Sequence, residues 1–468
     1  MRDTPIIYWL RRDLRLGDHP GLTSVVAMGR PVIPVFIHED LIESLGAAPK
    51  WRLGLAVEHF ARVLEEIGSR LILRRGNALK VLRTLVAETG AEAVYWSRAY
   101  DPEAIDRDTV VKAGLKGDGL KVESHKGHLL FEPWMVENKT GGFYKVFTPM
   151  WKAVRGSELA QELPSVKNLQ APDDWPESDD IGTWKMGGAM QHGAAIVGKH
   201  VCVGEEAASR RLATFIDAKV ANYVKTRDIP SVDGTSRLSE NLTYGEISPR
   251  SCWHAGRQAL HDGKADAETF LKELVWREFA YHLTYHTPRI VSHNWNEKWD
   301  SFPWQGDGDH TLPWKQGRTG IQLVDAAMRE MYVTGTMHNR GRMIVASYLT
   351  KHLMTHWKIG LGWFEECLID WDPASNAMGW QWAAGSGPDA APYFRVFNPD
   401  TQAERFDKDR AYRARFIAEL FRNHGPEARD YFDAIPRCWN LSPSDEYPTP
   451  HVPLDVGRQQ ALDAYKRS

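Results

Sequence analysis

Glu273, Trp276 and Arg277 stand at i, i+3 and i+4 in "FLKELVWREF", residues 270–279, so a helix would carry them on one face. An acid, an indole and a guanidinium make a poor core stripe. They read either as a surface ion pair beside a half-exposed tryptophan or as a site. "TGTMHNRGRMIVASYL" repeats the spacing with Asn339, Arg342 and Met343. An amide, a cation and a soft thioether on one face can cradle a flat heteroaromatic ring. His338 stands alone beside them, and a lone helical histidine is more often a satisfied structural residue. No second His or Cys lies at ligand spacing, so no metal is expected. In "TRDIPSVDGTSRLSENLTYGEISPR" the hydroxyls of Thr235, Ser236 and Ser239, with the bare backbone of Gly234, either cap a helix or hold a phosphate. "LIDWDPASNAMGWQW" places Asp370 and Asp372 ahead of Asn376. These acids suit a metal or sugar hydroxyls; with Arg342, an ion pair buried beneath a ligand is the other reading. Trp380 and Trp382 in the same stretch are separated by about 200° around a helix and cannot face the same thing.

The elements that must position these residues fall into two patterns. Up to about residue 130, five short β-rich runs ("PIIYWL", "PVIPVFI", "RLILRR", "AEAVYWS", "LKVESH") alternate with amphipathic stretches. Leu53, Ala56, Val57, Phe60, Leu64 and Ile67 mark one helical face, and Leu79, Leu82 and Val86 another. Such alternation predicts a parallel sheet covered on both faces. No G-x-G-x-x-G follows the first run, so the dinucleotide fingerprint is absent. Residues 131–200 are rich in Pro, Gly and Asp and predict a long surface connection with few regular elements. From 201 onward helix-period segments follow one another, "GEEAASRRLATFI", "ETFLKELVWREFAYHLTYH", "IQLVDAAMREMYVTG", "GRMIVASYLTKHLM" and "LGWFEECLID" among them, and predict an all-α half.

Composition is consistent with this division. The 468 residues are too many for one core, and 43% hydrophobic with 25% charged is the balance of a soluble globular chain. No apolar run reaches bilayer length, and charge comes too early at the N-terminus for a secretory signal, so a cytoplasmic protein is expected. Four scattered cysteines argue against a disulfide framework or a zinc or iron–sulfur site. A net charge of −3 advertises no polyanion partner, although a local basic face is compatible with it. The unusual count is 19 Trp, side chains suited to stacking on flat ligands as well as to a core.

"YWLRRDLRLGDHPGL", "GGFYKVFTPMWKAVR", "GTSRLS", "ELVWREF", "TGTMHNRGRMI" and "GWQWAAGSGPDAAPYFRVFNP", in this order and almost end to end, resemble the DNA photolyase and cryptochrome flavoprotein family. The resemblance implies an α/β antenna domain with a five-stranded Rossmann-like sheet over residues 1–130, an interdomain linker over 131–200, and an all-α domain over 201–468 that holds a U-shaped FAD. Position by position it implies flavin contacts at Tyr223, Thr235, Ser236, Arg237, Leu238, Ser239, Phe270, Arg277, Arg342, Asp370, Asp372 and Asn376. Phe270 stands where the family often has Trp, and Thr336 where some members carry Trp near the pocket. Trp380, Trp357 and Trp304 match the family's electron relay. Trp382 and Trp276 would stack on a flipped nucleotide. Glu273 would hydrogen-bond a thymine edge, Asn339 and Met343 would line the same cavity, and Arg227, Arg340, Arg395 and Arg405 would grip phosphates.

The activity implied is light-driven repair of cyclobutane pyrimidine dimers in UV-damaged DNA, by a monomer closest to bacterial class III enzymes, with class I the alternative. A (6-4) photolyase carries a histidine pair where Met337–Arg340 stands; Asn339 breaks that pair here. A plant-type cryptochrome photoreceptor usually has Asp at position 376 and Tyr at 382; Asn376 and Trp382 are of the repair kind, and an Asn cannot deliver a proton to the flavin edge. The lack of a C-terminal tail also favours repair over signalling. The antenna expected is 5,10-methenyltetrahydrofolate, with a deazaflavin or no antenna as the alternatives. Tyr100–Glu103 lacks the Asn-Glu pair that binds folate in some class I members, so no antenna residues are assigned.

Overall fold

A computed structural model of the chain describes residues 4–467. Five parallel strands, β1 (Ile6–Leu10), β2 (Val32–His38), β3 (Ile72–Arg75), β4 (Ala93–Ser97) and β5 (Lys121–His125), pair in the order β3-β2-β1-β4-β5. All five runs expected from the sequence are strands. β1, "IIYWL", is buried at every position because helices cover both faces of the sheet, which is why it reads as an unbroken apolar run. Alternate residues feed two cores. Ile6, Tyr8 and Leu10 pack with Leu53, Ala56, Val57, Phe60 and Leu64 of α1 (Ala47–Glu66). Ile7 and Trp9 pack with α2 (Ala78–Thr89) and α3 (Pro102–Gly117) on the other side. The buried stripe of α2 is Ala78, Leu82 and Leu85, with Leu79 and Val86 only half-buried at its edges. The face is thus rotated from the expected Leu79–Leu82–Val86, because a stripe drawn through three residues underestimates the width of the covered surface.

Between residues 131 and 200 the chain is mostly irregular but docked. Val166 and Leu169 enter the core beneath β1 and β2, and the backbone N–H of Asp179 donates to Leu73 O at 2.8 Å. Besides short helical turns, the longest being Gly193–Val197, it contains the amphipathic helix α4 (Phe147–Val154), whose Phe147, Met150, Trp151 and Val154 join the core of the helical half.

Among the described residues beyond 200 there is no strand, only an isolated bridge between Gln305 and Thr355. The helices that matter below are α5 (Ala267–His286), α6 (Gln322–Thr334), α7 (Asn339–Ser347), α8 (Trp357–Cys367), α9 (Pro373–Ala384) and α10 (Leu454–Arg467). The run 341–354, expected as one helix, is α7 followed by a π-helical turn, Tyr348–His352. One extra residue per turn re-aims the side chains beyond it, and no Pro or Gly signals it in advance.

Candidate active site

α9 begins with a side-chain cap: Asp372 Oδ1 accepts the Ser375 N–H at 2.8 Å, and Pro373 follows at the first helical position. One turn in, Asn376 is buried and donates Nδ2 to Asp372 O at 3.0 Å. Trp380 lies on the same face one turn further, buried edge-to-face against Phe364 of α8 (4.9 Å, 72°) and Trp314 (6.1 Å, 70°). Gly360 of α8 makes this possible, since a Cβ there would meet the Trp380 ring at 2.0 Å. Gly360 is one turn from Trp357, so the ring of Trp380 rests over the turn that carries the next tryptophan. A glycine in a helix interior, which weakens a helix by roughly 0.5–1 kcal/mol relative to Ala, was the available signal for this contact. Trp382 is half-buried on the other side of α9.

Trp357 is fully buried and donates Nε1 to Asn294 Oδ1 at 2.7 Å. Trp304 donates Nε1 to Thr350 O at 3.1 Å, and the His356 ring lies between the two indoles, 5.2 Å from Trp304 and 5.5 Å from Trp357. Trp304 is half-buried, with Trp299 stacked on it at 5.6 Å.

Arg342 on α7 donates Nη2 to both carboxylate oxygens of Asp370, at 2.9 and 2.7 Å, and Nε to Met337 O at 2.8 Å. Ser239 Oγ donates to the same carboxylate at 2.7 Å, which ties the hydroxyl-bearing loop to the pair. Of the two readings of these acids, the ion pair is the one realised for Asp370, while Asp372 serves as the cap. Thr235 and Ser236 are half-exposed, Gly234 lies against Thr226, and Arg237 turns the chain with φ +53° while its guanidinium faces outward near Asp233. Leu238 is buried, as are Phe270 and Tyr223, which pack on Phe215.

Glu273 accepts from Arg227 Nη1 at 2.6 Å, and that guanidinium lies over the Tyr223 ring. Trp276 stacks face to face on Phe147, centroids 3.7 Å apart at 5°. Asn339 and Met343 approach each other at 3.9 Å. Glu273, Trp276, Met343 and Trp382 are all half-buried and Asn339 is exposed, so none of them belongs to a core stripe. His338 caps α7, its Nδ1 accepting the Arg340 N–H at 3.1 Å, and burial holds it neutral with its pKa lowered to about 4. Arg340 pairs with Asp228 at 2.6 Å and lies over Phe406, whose ring also carries Arg405; Arg395 and Arg405 are exposed.

Arg277 makes other contacts. It donates to His128 O at 2.9 Å and to Glu278, inside a buried network between the two halves of the chain. Tyr281 is the centre of this network: its hydroxyl donates to Asp372, accepts from Arg12 Nη2 at 3.3 Å, and lies 3.0 Å from His128 Nε2. Arg12 is in turn paired with Asp101 at 2.5 Å. Burial pushes the Glu278 carboxyl up to about 7 even though Arg277 and the backbone N–H groups of Leu130 and Phe131 all favour its charged form. Sequence reasoning missed Arg12, His128 and Tyr281 because the partners lie up to 269 positions apart. It also missed Phe147, for which an aromatic opening a short amphipathic run was the only cue.

Residues 6–170 match the family described as DNA photolyase, and residues 270–467 match the FAD binding domain of DNA photolyase. Deoxyribodipyrimidine photo-lyase from Agrobacterium fabrum is 42% identical over 99% of this chain and 98% of its own length. The chain belongs to the DNA photolyase family. The crystal structure of a bacterial class III photolyase from Agrobacterium tumefaciens superposes with a TM-score of 0.92, covering 100% of this chain and 98% of that one. Cryptochrome-2 of Arabidopsis thaliana is 30% identical over 100% of this chain and 79% of its own. The photolyase residues present here fit a flavin dinucleotide. The Arg342–Asp370–Ser239 cluster offers charged and hydroxyl groups, and the buried Trp380 Nε1 has no acceptor among the described residues. No helix of the described residues is long and apolar enough to cross a membrane.

Proposed function

We propose that the protein is a deoxyribodipyrimidine photolyase, a carbon–carbon lyase that uses light and FAD to split cyclobutane pyrimidine dimers in DNA. The observation that carries this reading is the division of labour on α9, with Asn376 and Trp380 buried on one face and Trp382 half-exposed on the other. FAD, when bound, supplies the light-driven one-electron chemistry that opens the cyclobutane ring. The chain's own residues do the rest. Arg342, Asp370 and Ser239 orient the polar edge of the flavin, and the loop Thr235–Ser239 takes the phosphates. Asn376 would stand at the flavin edge, where its amide has no acidic proton to give the ring. Trp276 and Trp382 stack on the flipped dimer, where each base is worth roughly 1–3 kcal/mol of stacking. Glu273, held by Arg227, hydrogen-bonds a pyrimidine edge. Arg227, Arg340, Arg395 and Arg405 contact phosphates. The relay runs from Trp380 through Trp357 to Trp304. The domains divide at about 130 and 200, and the enzyme works as a cytoplasmic monomer.

The antenna is methenyltetrahydrofolate, and the fitting place is a cleft of about 220 Å³ between the sheet domain and α5, walled by Trp96, Tyr100, Trp134 and Tyr285 with Arg98 and Lys112 at its edge. Aromatic walls with a cationic rim suit a flat chromophore with an acidic tail.

Reduced protein illuminated with blue light restores thymine absorbance in a cyclobutane-dimer oligonucleotide and leaves a (6-4) oligonucleotide unchanged. Repair of neither, together with light-dependent binding to a protein partner, would replace this reading with a photoreceptor. In binding to the same cyclobutane-dimer oligonucleotide in the dark, Arg395→Ala or Arg405→Ala lowers the slope of log affinity against log salt by about one each, the signature of one lost phosphate contact. An unchanged slope removes that arginine from the DNA interface. Asp370→Ala strands Arg342 and frees Ser239. Breaking a fully buried pair costs about 3–5 kcal/mol; with Arg342 part-exposed, about 2 kcal/mol is expected. The variant leaves gel filtration with most of its flavin absorbance gone; retention at the parent's level would remove the pair from the flavin site.

A further inference from the structure

"GGFYKVFTPMWKAVR" is a motif whose side chains the reaction above leaves without a role. Phe147, the first residue of α4, lies flat on Trp276 at 3.7 Å and 5°, closer and more parallel than the other ring pairs around it. Phe279, buried one turn along α5, sets its ring against both, 5.8 Å and 72° from Trp276 and 6.0 Å and 70° from Phe147. The three planes fix one another: neither stacked ring can tilt without colliding with Phe279. Met150, Trp151 and Val154 anchor α4 behind them in the core. The backbone N–H of Phe147 is itself held, donating at 3.0 Å to Oδ2 of Asp389. Asp389 has φ +50° and belongs to the Gly- and Pro-rich segment after α9 that also displays Phe394, 58% exposed, and Arg395.

We infer that Phe147 is a positioning residue for lesion recognition, holding Trp276 so that a single open face meets the flipped pyrimidine, and that Asp389 locks it to the segment approaching the DNA. The inference rests on the assignment of Trp276 as a stacking surface for the dimer. With one face of the indole already covered, an arriving base extends an existing two-ring stack rather than ordering a mobile side chain. The entropy of fixing that indole is settled in the free protein, which is what preorganisation contributes to affinity. A base still paired in duplex DNA does not reach this surface, so the benefit goes to a flipped pyrimidine alone.

The test compares binding of a cyclobutane-dimer oligonucleotide with binding of the same undamaged duplex, in flavin-loaded protein. Phe147→Leu keeps apolar volume and removes the flat platform. Dimer affinity falls about tenfold, equal to about 1.4 kcal/mol, while undamaged-duplex affinity and bound-flavin absorbance hold. In repair kinetics KM rises and kcat at saturating DNA holds. Phe147→Tyr restores the parent's ratio. Should Phe147→Leu shed flavin, Asp389→Ala carries the test without touching the core, with a drop of about threefold in dimer affinity, about 0.65 kcal/mol. Equal ratios in the parent and in both variants overturn the inference. Trp276→Leu separates the two levels: if it weakens dimer binding and the others do not, positioning fails and stacking stands; if it too has no effect, the stacking assignment fails.

Discussion

Trp380→Phe slows light-driven reduction of the oxidised flavin at least about tenfold while leaving repair by chemically pre-reduced enzyme intact. A phenyl ring is far harder to oxidise than an indole, so the step out of position 380 slows by an order of magnitude or more, about 1.4 kcal/mol or more on its barrier. The structure makes the substitution a clean one. Trp380 Nε1 has no acceptor among the described residues, so no protein hydrogen bond is broken. The smaller ring leaves a void against Phe364 and Gly360, a loss on the order of 1–3 kcal/mol in stability that a single-wavelength melt would read separately. Photoreduction at the parent's rate would remove Trp380 from the relay, and loss of repair in the pre-reduced enzyme would show that the indole serves the flavin in some other way.

Lys351→Met makes the protein more stable at pH 6 and brings little gain at pH 10. Lys351 is fully buried on the π-helical turn, and its Nζ donates to the backbone O of Arg395 at 3.1 Å. Its ammonium lies 5.4 Å over the Tyr393 ring; no carboxylate pairs with it among the described residues, and it feels the like charge of Arg395. Burial first and Arg395 second lower its pKa to about 7, against about 10.4 in an unfolded chain. Between those values the unfolded chain holds a proton that the folded chain has released, so stability rises with pH across the window from about 7 to about 10.4. Below about 7 both states are protonated and the full burial penalty is present. Replacing the amine by an apolar side chain of similar length removes that penalty, a gain on the order of 2–4 kcal/mol at pH 6. Denaturant unfolding at the two pH values reads the difference. Destabilisation at both would mean that the hydrogen bond to Arg395 outweighs desolvation. The same bond holds the segment bearing Arg395, so the stabilised variant also binds DNA more weakly.

Where a stretch of sequence dictates its own surroundings, it could be read. Each strand is a bounded apolar run because its sheet is covered twice, and α5 shows its length and period outright. Arg342 and Asp370 were legible as partners because an acid and a guanidinium that both belong beneath a ligand have few other fates. What escaped was decided by residues remote in the chain. Glu273 and Arg277, one turn apart, look identical from the sequence, yet one meets Arg227 and the other His128 of the sheet domain. Phe147 gains its place from α5, and the π-helical turn after α7 is invisible because tertiary packing, rather than a breaker residue, inserts it. Trp380 could be placed on the face opposite Trp382 by counting, but its closeness to α8 depends on Gly360, a residue that declares only a missing side chain.

The buried link from Arg12 through Tyr281 to Asp372 bears on how freely the parts of such an enzyme can be exchanged. It fastens the C-terminal edge of the sheet to the first turn of the helix bearing Asn376, Trp380 and Trp382. A light-collecting module borrowed from a relative would therefore have to bring an arginine and an aspartate at the positions of Arg12 and Asp101, or leave the Tyr281–Asp372 pair without its cation. Grafts chosen for their antenna alone would fail at that seam, and lineages that change antenna are expected to keep it.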